Sequence, residues 1–340
     1  RRSEPLSRTR RAELMPVLML ISAALTQACS EPHELQLEGR PGGPYRAMLS
    51  VSPAPVAPQQ QTTLSTSLTR RADNAPLTGL RILHERAVHN FIVALDFSSF
   101  AHIHHEDFAP LAADDLAAAT FSFPYTFPRA GSYRMVSEFT YRDRSWLKQF
   151  EIKVGQPTPP PRVTIDLSRQ KRIGDFDARL GSSPAVPVAG FEAELVLELS
   201  RGGQPVQDLE LILGSEMHVA IWRVDGAHFG HAHSYTPAMA AMMASMHDPS
   251  SDPAERAAHN ADMMLAMMAL PAELAYPGPR IPFRHVFPAA GTYALFLQCA
   301  PAGSPQVFNF MVEVADYTAG METRIESMVS PAHPHGHGPS

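Results

Sequence analysis

Lysine is nearly absent from this chain, with 3 residues in 340, and charged residues of all kinds make up only 18%. Surface helices draw heavily on Lys and Glu, so this scarcity beside 32 prolines argues for turns and extended segments, and the bulk is expected to be β. Cysteine is scarcer still, with Cys29 and Cys299 alone, which excludes a disulfide framework. Positive charge is also in deficit. The formal net charge is -6, and residues 1–29 hold five Arg against two Glu, so the remainder carries about -9. Nucleic acid is therefore excluded as a partner. What the chain does have is length and apolar content: 340 residues at 44% hydrophobic suffice for two ordinary domains with real cores.

The amino terminus reads as an export segment. Arginines at 1, 2, 8, 10 and 11 precede the apolar run from Pro16 to Thr26, which is too short to span a bilayer but right for a signal-peptide core. The run leads into Leu25-Thr-Gln-Ala-Cys29, which resembles a bacterial lipoprotein cleavage box. That implies a lipid on Cys29 that anchors an exported, periplasmic or outer-surface protein in a membrane. Cys299 then has no intramolecular partner. It lies on the apolar strand pattern Tyr293-Ala-Leu-Phe-Leu-Gln-Cys299 and reads first as a small core residue, second as a thiolate ligand.

Residues 30–61 read as a Pro-rich tether, interrupted by one strand candidate at 45–51, and 156–161 as a stiff polyproline connector. The polar tail 317–340, with His333, His335 and His337, has no means of building a core. Between these breaks lie two copies of one unit, expected at 62–155 and 162–316. Adding 129 to the numbering lays 76–104 on 205–233 and matches His89 with His218, Asp96 with Asp225, His102 with His231 and His104 with His233. Adding 160 lays 121–154 on 281–314, matching Phe127-Pro128 with Phe287-Pro288, Gly131 with Gly291 and Tyr133 with Tyr293. The second copy therefore carries an insertion of about 31 residues. Alternation of apolar residues through 191–199, and strand-like runs at 63–69, 79–84, 88–95, 121–127, 132–140 and 147–154, predict two tandem antiparallel β-sandwiches.

Histidine carries the chemistry. In a strand, residues i and i+2 share a face, so His102/His104 and His231/His233 each put two imidazoles side by side, about 6 to 7 Å apart at Cα. With Asp96–Ser99 as a hairpin loop, His104 falls opposite Phe91, and His89 joins the same face on a diagonal. A one-residue slip would send it to the other face. The first candidate site is His89, His102 and His104, and the second is His218, His231 and His233. The alternative is a set of hydrogen-bonded structural histidines with Asp96 and Asp225 closing turns. Further donors flank the first copy at His84, His105 and Glu106, and the second at Met217, His228 and His285.

Eight of the 16 methionines fall between 239 and 268, accompanied by His247 and His259. Their spacings of three and four, including His259, Met263 and Met267, and a helix start at Asp252-Pro-Ala-Glu255 predict a short helical hairpin. Such a Met surface serves equally as an adaptable contact face for a protein partner or as a soft-donor site. Thioether and imidazole without thiols suit copper outside the cytoplasm, with zinc as the alternative metal.

The stretch Asp96-Phe-Ser-Ser-Phe-Ala-His-Ile-His104, with His89 and Phe127-Pro-Arg-Ala-Gly-Ser-Tyr133, resembles a largely uncharacterised group of bacterial secreted or lipoprotein sequences. Their signature is Asp-Leu-Ser-x-Phe-x-His-x-His-Pro followed by Phe-Pro-x-x-Gly-x-Tyr. The resemblance implies an exported Ig-like or cupredoxin-like β domain and offers no activity. Where that signature has Pro after the second His, this chain has His105 and Ser234. Cys299 is not followed by the His and Met of a blue-copper site. No nucleophile elbow, phosphate loop or His-Glu-x-x-His is present either, so the sequence predicts binding rather than turnover: a metal-binding, copper-handling protein, or a non-catalytic adhesion or assembly module.

Overall fold

A computed structural model describes residues 33–142, 144–156, 162–236 and 274–318. Strand patterning decides the architecture. In β3 (Gln61–Arg70), Thr62, Leu64, Thr66 and Leu68 turn inward and the residues between them do not. In β11 (Glu192–Arg201) the inward set is Ala193, Leu195, Leu197 and Leu199. This period of two is that of a sheet with one face in a core.

The first module has two antiparallel sheets. One runs β1 (His33–Glu38), β2 (Tyr45–Ala54), β3, β6 (Thr120–Thr126), and the other β5 (Phe100–Ile103), β4 (Val88–Ala94), β7 (Gly131–Tyr141), β8 (Arg144–Val154). A short helix α1 (Ala113–Ala118) precedes β6. The second module repeats the plan. Its first sheet runs β9 (Gln170–Ile173), β10 (Phe176–Ser183), β11, β16 (Arg280–Val286), with the short β12 (Gln204–Pro205) at one end of β11. Its second runs β15 (Phe229–His233), β14 (Met217–Arg223), β17 (Gly291–Pro301), β18 (Gln306–Val314), with β13 (Leu209–Glu210) beside the end of β17. These are two tandem β-sandwiches of the Ig-like type, each with its own apolar core.

The Phe-Pro-x-x-Gly-x-Tyr element forms a strand-entry corner in both. Gly131 and Gly291 sit at φ 142° and 129°, and the Tyr133 and Tyr293 hydroxyls donate back to the carbonyls of Arg129 and Ala289 at 2.9 and 2.8 Å. A buried tyrosine tied to its own upstream backbone is a recurrent device of Ig-type sandwiches.

Two sequence expectations differ from the structure. The stretch expected as a tether carries β1 and β2, and Ala47, Leu49 and Val51 lie fully buried in the first core. Its prolines flank and end these strands rather than preventing them. The expected strand at 79–84 is a loop that closes in a tight turn, with His84 and Glu85 at φ 46° and 65° between the paired Leu83 and Arg86. The connector 157–161, the export segment, the Met-rich insertion and the tail from 319 lie outside the described residues.

The sheets that carry the histidines are buried on both faces. Along β4, Val88, Ile92 and Ala94 enter the core of the first module, while Phe91 and Val93 face a third apolar cluster. Along β14, Met217, Val219 and Ile221 enter the second core, while Ala220 and Trp222 join that same third cluster. Phe97, Val136, Phe229, Ala294, Phe296 and Met311 complete it. The two sandwiches thus pack sheet against sheet, and the Phe100 and Phe296 rings stack at 4.5 Å across the seam.

Candidate metal centre

Backbone register builds each triad. The ladder β4–β5 pairs Asn90 with Ile103 and Phe91 with His102, which sets His89 opposite His104. In the second module His218 pairs directly with His233 and Ala220 with His231. The register expected from an Asp96–Ser99 loop is off by two residues, because Ala94 N–H bonds to Ser99 O and places the loop at 95–98. A shift of two keeps every side chain on its face, so the expected convergence survives. It is tighter than the expected diagonal.

Within each triad one nitrogen per histidine lies within 4.8 Å of the others. In the first, His89 Nδ1 is 3.2 Å from His102 Nε2 and 3.0 Å from His104 Nε2, and the last two are 3.0 Å apart. The outer nitrogens decide what this triangle is. His89 Nε2 donates to Leu83 O at 3.1 Å, His102 Nδ1 to Gln298 Oε1 at 3.0 Å, and His104 Nδ1 to Asp107 Oδ2 at 3.0 Å. Each outer partner is an acceptor, so each neutral ring carries its proton outward. The three inner nitrogens then present lone pairs to one another with no hydrogen between them. Nitrogens at about 2.0–2.1 Å from a common ion in tetrahedral array lie about 3.3 Å apart, close to this spacing.

The second triad repeats the device. His218 Nε2 donates to Ile212 O at 2.8 Å, His231 Nδ1 donates to Glu138 Oε2 at 2.6 Å, and His218 Nδ1 lies 3.5 Å from His231 Nε2. His233 Nε2 is buried and without a hydrogen bond. The carbonyls come from equivalent tight turns. His84-Glu85 and Leu213-Gly214 each supply two residues of positive φ, and these turns aim Leu83 O and Ile212 O at the first histidine of each triad.

Burial favours the neutral form of five of the six imidazoles. His89, His102, His218 and His233 are held well below their ordinary pKa, first by desolvation and then by the neighbouring histidines. Desolvation also lowers His104, and a bond to Asp107 opposes it. Desolvation works to raise the Glu138 carboxyl, but its pairing with His231 and the hydroxyl of Ser145 hold it below the usual range. Neutral imidazole is the form that binds metal.

The flanking donors separate into roles. Asp96 and Asp225 accept the N–H of Ser98 and Ala227 and close turns. His105 is tied to Ser122 and Asp115, Glu106 caps the Ala87 N–H, and Met217 is a core residue. Cys299 lies fully buried in the second core, its thiol pushed up to about 12 by desolvation, and it belongs to neither converging set of nitrogens. His228 and His285 pair with each other at 5.9 Å between ring centres. His84 stands 4.2 Å from the His233 ring, so the first module adds an imidazole beside the second triad. His259, Met263 and Met267 lie outside the described residues. Sequence reasoning missed Glu138 and Gln298. Their only signal was that an offset of 160 places them at equivalent positions.

Among solved structures, similarity extends to the fibronectin(III)-like modules of Clostridium thermocellum CbhA, at 10% identity over 85% of this chain and 100% of that one, with a TM-score of 0.18. It extends to pT26-6p, at 9% over 87% and 69% with a TM-score of 0.24, and to domains 4 and 5 of the S-layer protein SbsC, at 8% over 83% and 99% with a TM-score of 0.19. No curated protein matches the chain. The family described as a domain of unknown function, DUF8832, matches residues 42–156 and 171–316, one stretch in each sandwich and well over half the chain, and the protein belongs to that family.

Proposed function

We propose that this chain is an exported metal-binding protein that handles copper at its two histidine triads. The observation that carries the reading is the outward bonding of all three rings in the first triad, which leaves three lone pairs converging at 3.0–3.2 Å. Such an arrangement is repulsive until a cation occupies it. All the donors of each triad are imidazole nitrogens, a donor type that brings no negative charge, and the seam desolvates His89, His102, His104, His218 and His233. A ligand set without charge favours monovalent Cu(I) over a divalent ion, because less positive charge is left uncompensated in a poorly solvated site. The Met-rich sequence from 239 to 268 adds soft donors to the same protein and supports copper over zinc. Export rests on the basic flank and apolar run that lead to Cys29. Among the described residues no helix is long and apolar enough to cross a membrane.

The test is metal counting on purified protein after exposure to Cu(I), Cu(II) or Zn(II), beside a variant with His89, His102, His104, His218, His231 and His233 all changed to Ala. The expected result is a loss of two copper ions per chain in the variant. Equal copper content in both would overturn the reading, and a preference for zinc in direct competition would overturn the choice of metal.

A further inference from the structure

We infer that the two triads form one dinuclear centre, in which each module holds the ligands of the other module's ion. This rests on the metal-binding reading above and concerns how the two sites relate. Within the triads, ring centres are separated by 4.5–5.5 Å in the first and 4.3–5.7 Å in the second. Between the triads the separations are the same: His102 lies 5.4 Å from His218 and 5.7 Å from His231, and His89 lies 5.5 Å from His231. The six imidazoles are therefore one cluster, divided into two ligand sets only by which nitrogens converge. Given metal–nitrogen bonds of about 2 Å, the two ions would sit about a nanometre apart or less.

The outer hydrogen bonds cross the seam reciprocally. Glu138 lies beside His89 in its own sheet, and Gln298 lies beside His218 in its own. Yet Glu138 bonds to His231 and Gln298 to His102. Equivalent positions of the repeat have exchanged partners, as expected where a single centre straddles a pseudo-twofold axis. An outer acceptor fixes the tautomer and ring angle of a ligand histidine, so neither triad is complete without the other module. The turn residue His84, beside His218 and His233 at 5.7 and 4.2 Å, is matched in the second module by Leu213. The two positions are therefore inequivalent.

Charge gives the centre a limit. The carboxylates bonded to ligand rings are Asp107 and Glu138, and Arg86 at 3.0 Å offsets Asp107. Two monovalent ions come close to neutrality in this setting, whereas two divalent ions leave positive charge that must recruit small anions from solvent.

Electron paramagnetic resonance of the full chain, titrated with Cu(II) as the probe, tests this. The first equivalent should give an isolated Cu(II) signal. The second should broaden or diminish that signal and produce a half-field transition from coupling at short range. His104→Ala and His233→Ala, each of which removes one ligand from one triad, should retain a single isolated signal and lose the coupled one. Two full equivalents with additive, uncoupled spectra would overturn the dinuclear centre while leaving metal binding intact. A chain whose triads take up neither Cu(II) nor Cu(I) would overturn both.

Discussion

Glu138 of the first module accepts the Nδ1–H of His231 in the second at 2.6 Å, although its backbone neighbour is His89. A carboxylate on the outer nitrogen raises the basicity of the ligating one and holds the ring in place, and loss of such a partner typically weakens metal affinity about 10- to 100-fold. Glu138→Ala should weaken copper binding by that order at the triad 93 residues away in sequence, and leave the adjacent first triad nearly unchanged. Gln298→Ala should do the converse by a smaller factor, because a neutral amide polarises its histidine less. Titration of each variant in a background lacking the other triad measures both. An effect confined to the variant's own module would contradict the exchange.

The module repeat and the two triads were legible because His89, His102 and His104 recur at a constant offset of 129, and because a strand's period of two binds side-chain facing to spacing. A register error of two residues left the triad intact for the same reason. The seam was not legible. Phe91, Val93 and Trp222 look like ordinary core residues in sequence, and only the apolar run Phe91–Ala94 of β4, where alternation would mark a half-solvated strand, hinted that both faces are covered. Proline content misled over 30–61: the strand expected at 45–51 is present as β2, but together with the unexpected β1 it belongs to the first sandwich and not to a tether, since prolines near strand ends are compatible with a ladder that lacks a donor there.

The seam has its own stability. Phe296 is stacked on Phe100 and is a member of neither triad. Phe296→Ala should cost about 3–5 kcal/mol, as for a buried aromatic truncated in a core, and lower the urea midpoint accordingly. A change within about 0.5 kcal/mol, the range for surface positions, would show that the sandwiches do not pack through this face.

Acid should destabilise the metal-free chain. His84, lowered to about 4 by desolvation and by His231, has an ordinary value of 6.5, and His89, His102, His218 and His233 are also held well below that value, first by desolvation. Below pH 6.5 the unfolded chain takes up protons that the folded chain refuses, so their contribution to stability is complete above that pH and falls as pH drops toward 4. Thermal melts of metal-free protein should show a Tm that declines steadily from pH 7 to pH 5. His84→Ala should reduce the slope. A flat profile would mean that these rings are solvated and chargeable in the fold.

Cys299 offers the cleanest separation of core from site. It pairs with Met217 across the β14–β17 ladder and is fully buried, and desolvation holds its thiol at about 12. Alkylation requires the thiolate and access to it, so the folded chain should resist iodoacetamide at Cys299 at pH 8 and react there only on opening, at a rate that rises with urea. Mass spectrometry of the peptide that contains Cys299 follows this directly. Cys299→Ala removes one sulfur from a packed core that does not border either converging set of nitrogens, so it should lower stability modestly and retain the full copper count. Loss of one equivalent of copper in a variant that still melts cooperatively would return Cys299 to the list of ligands, and would require a second packing of β17 that turns its thiol from the core to the seam.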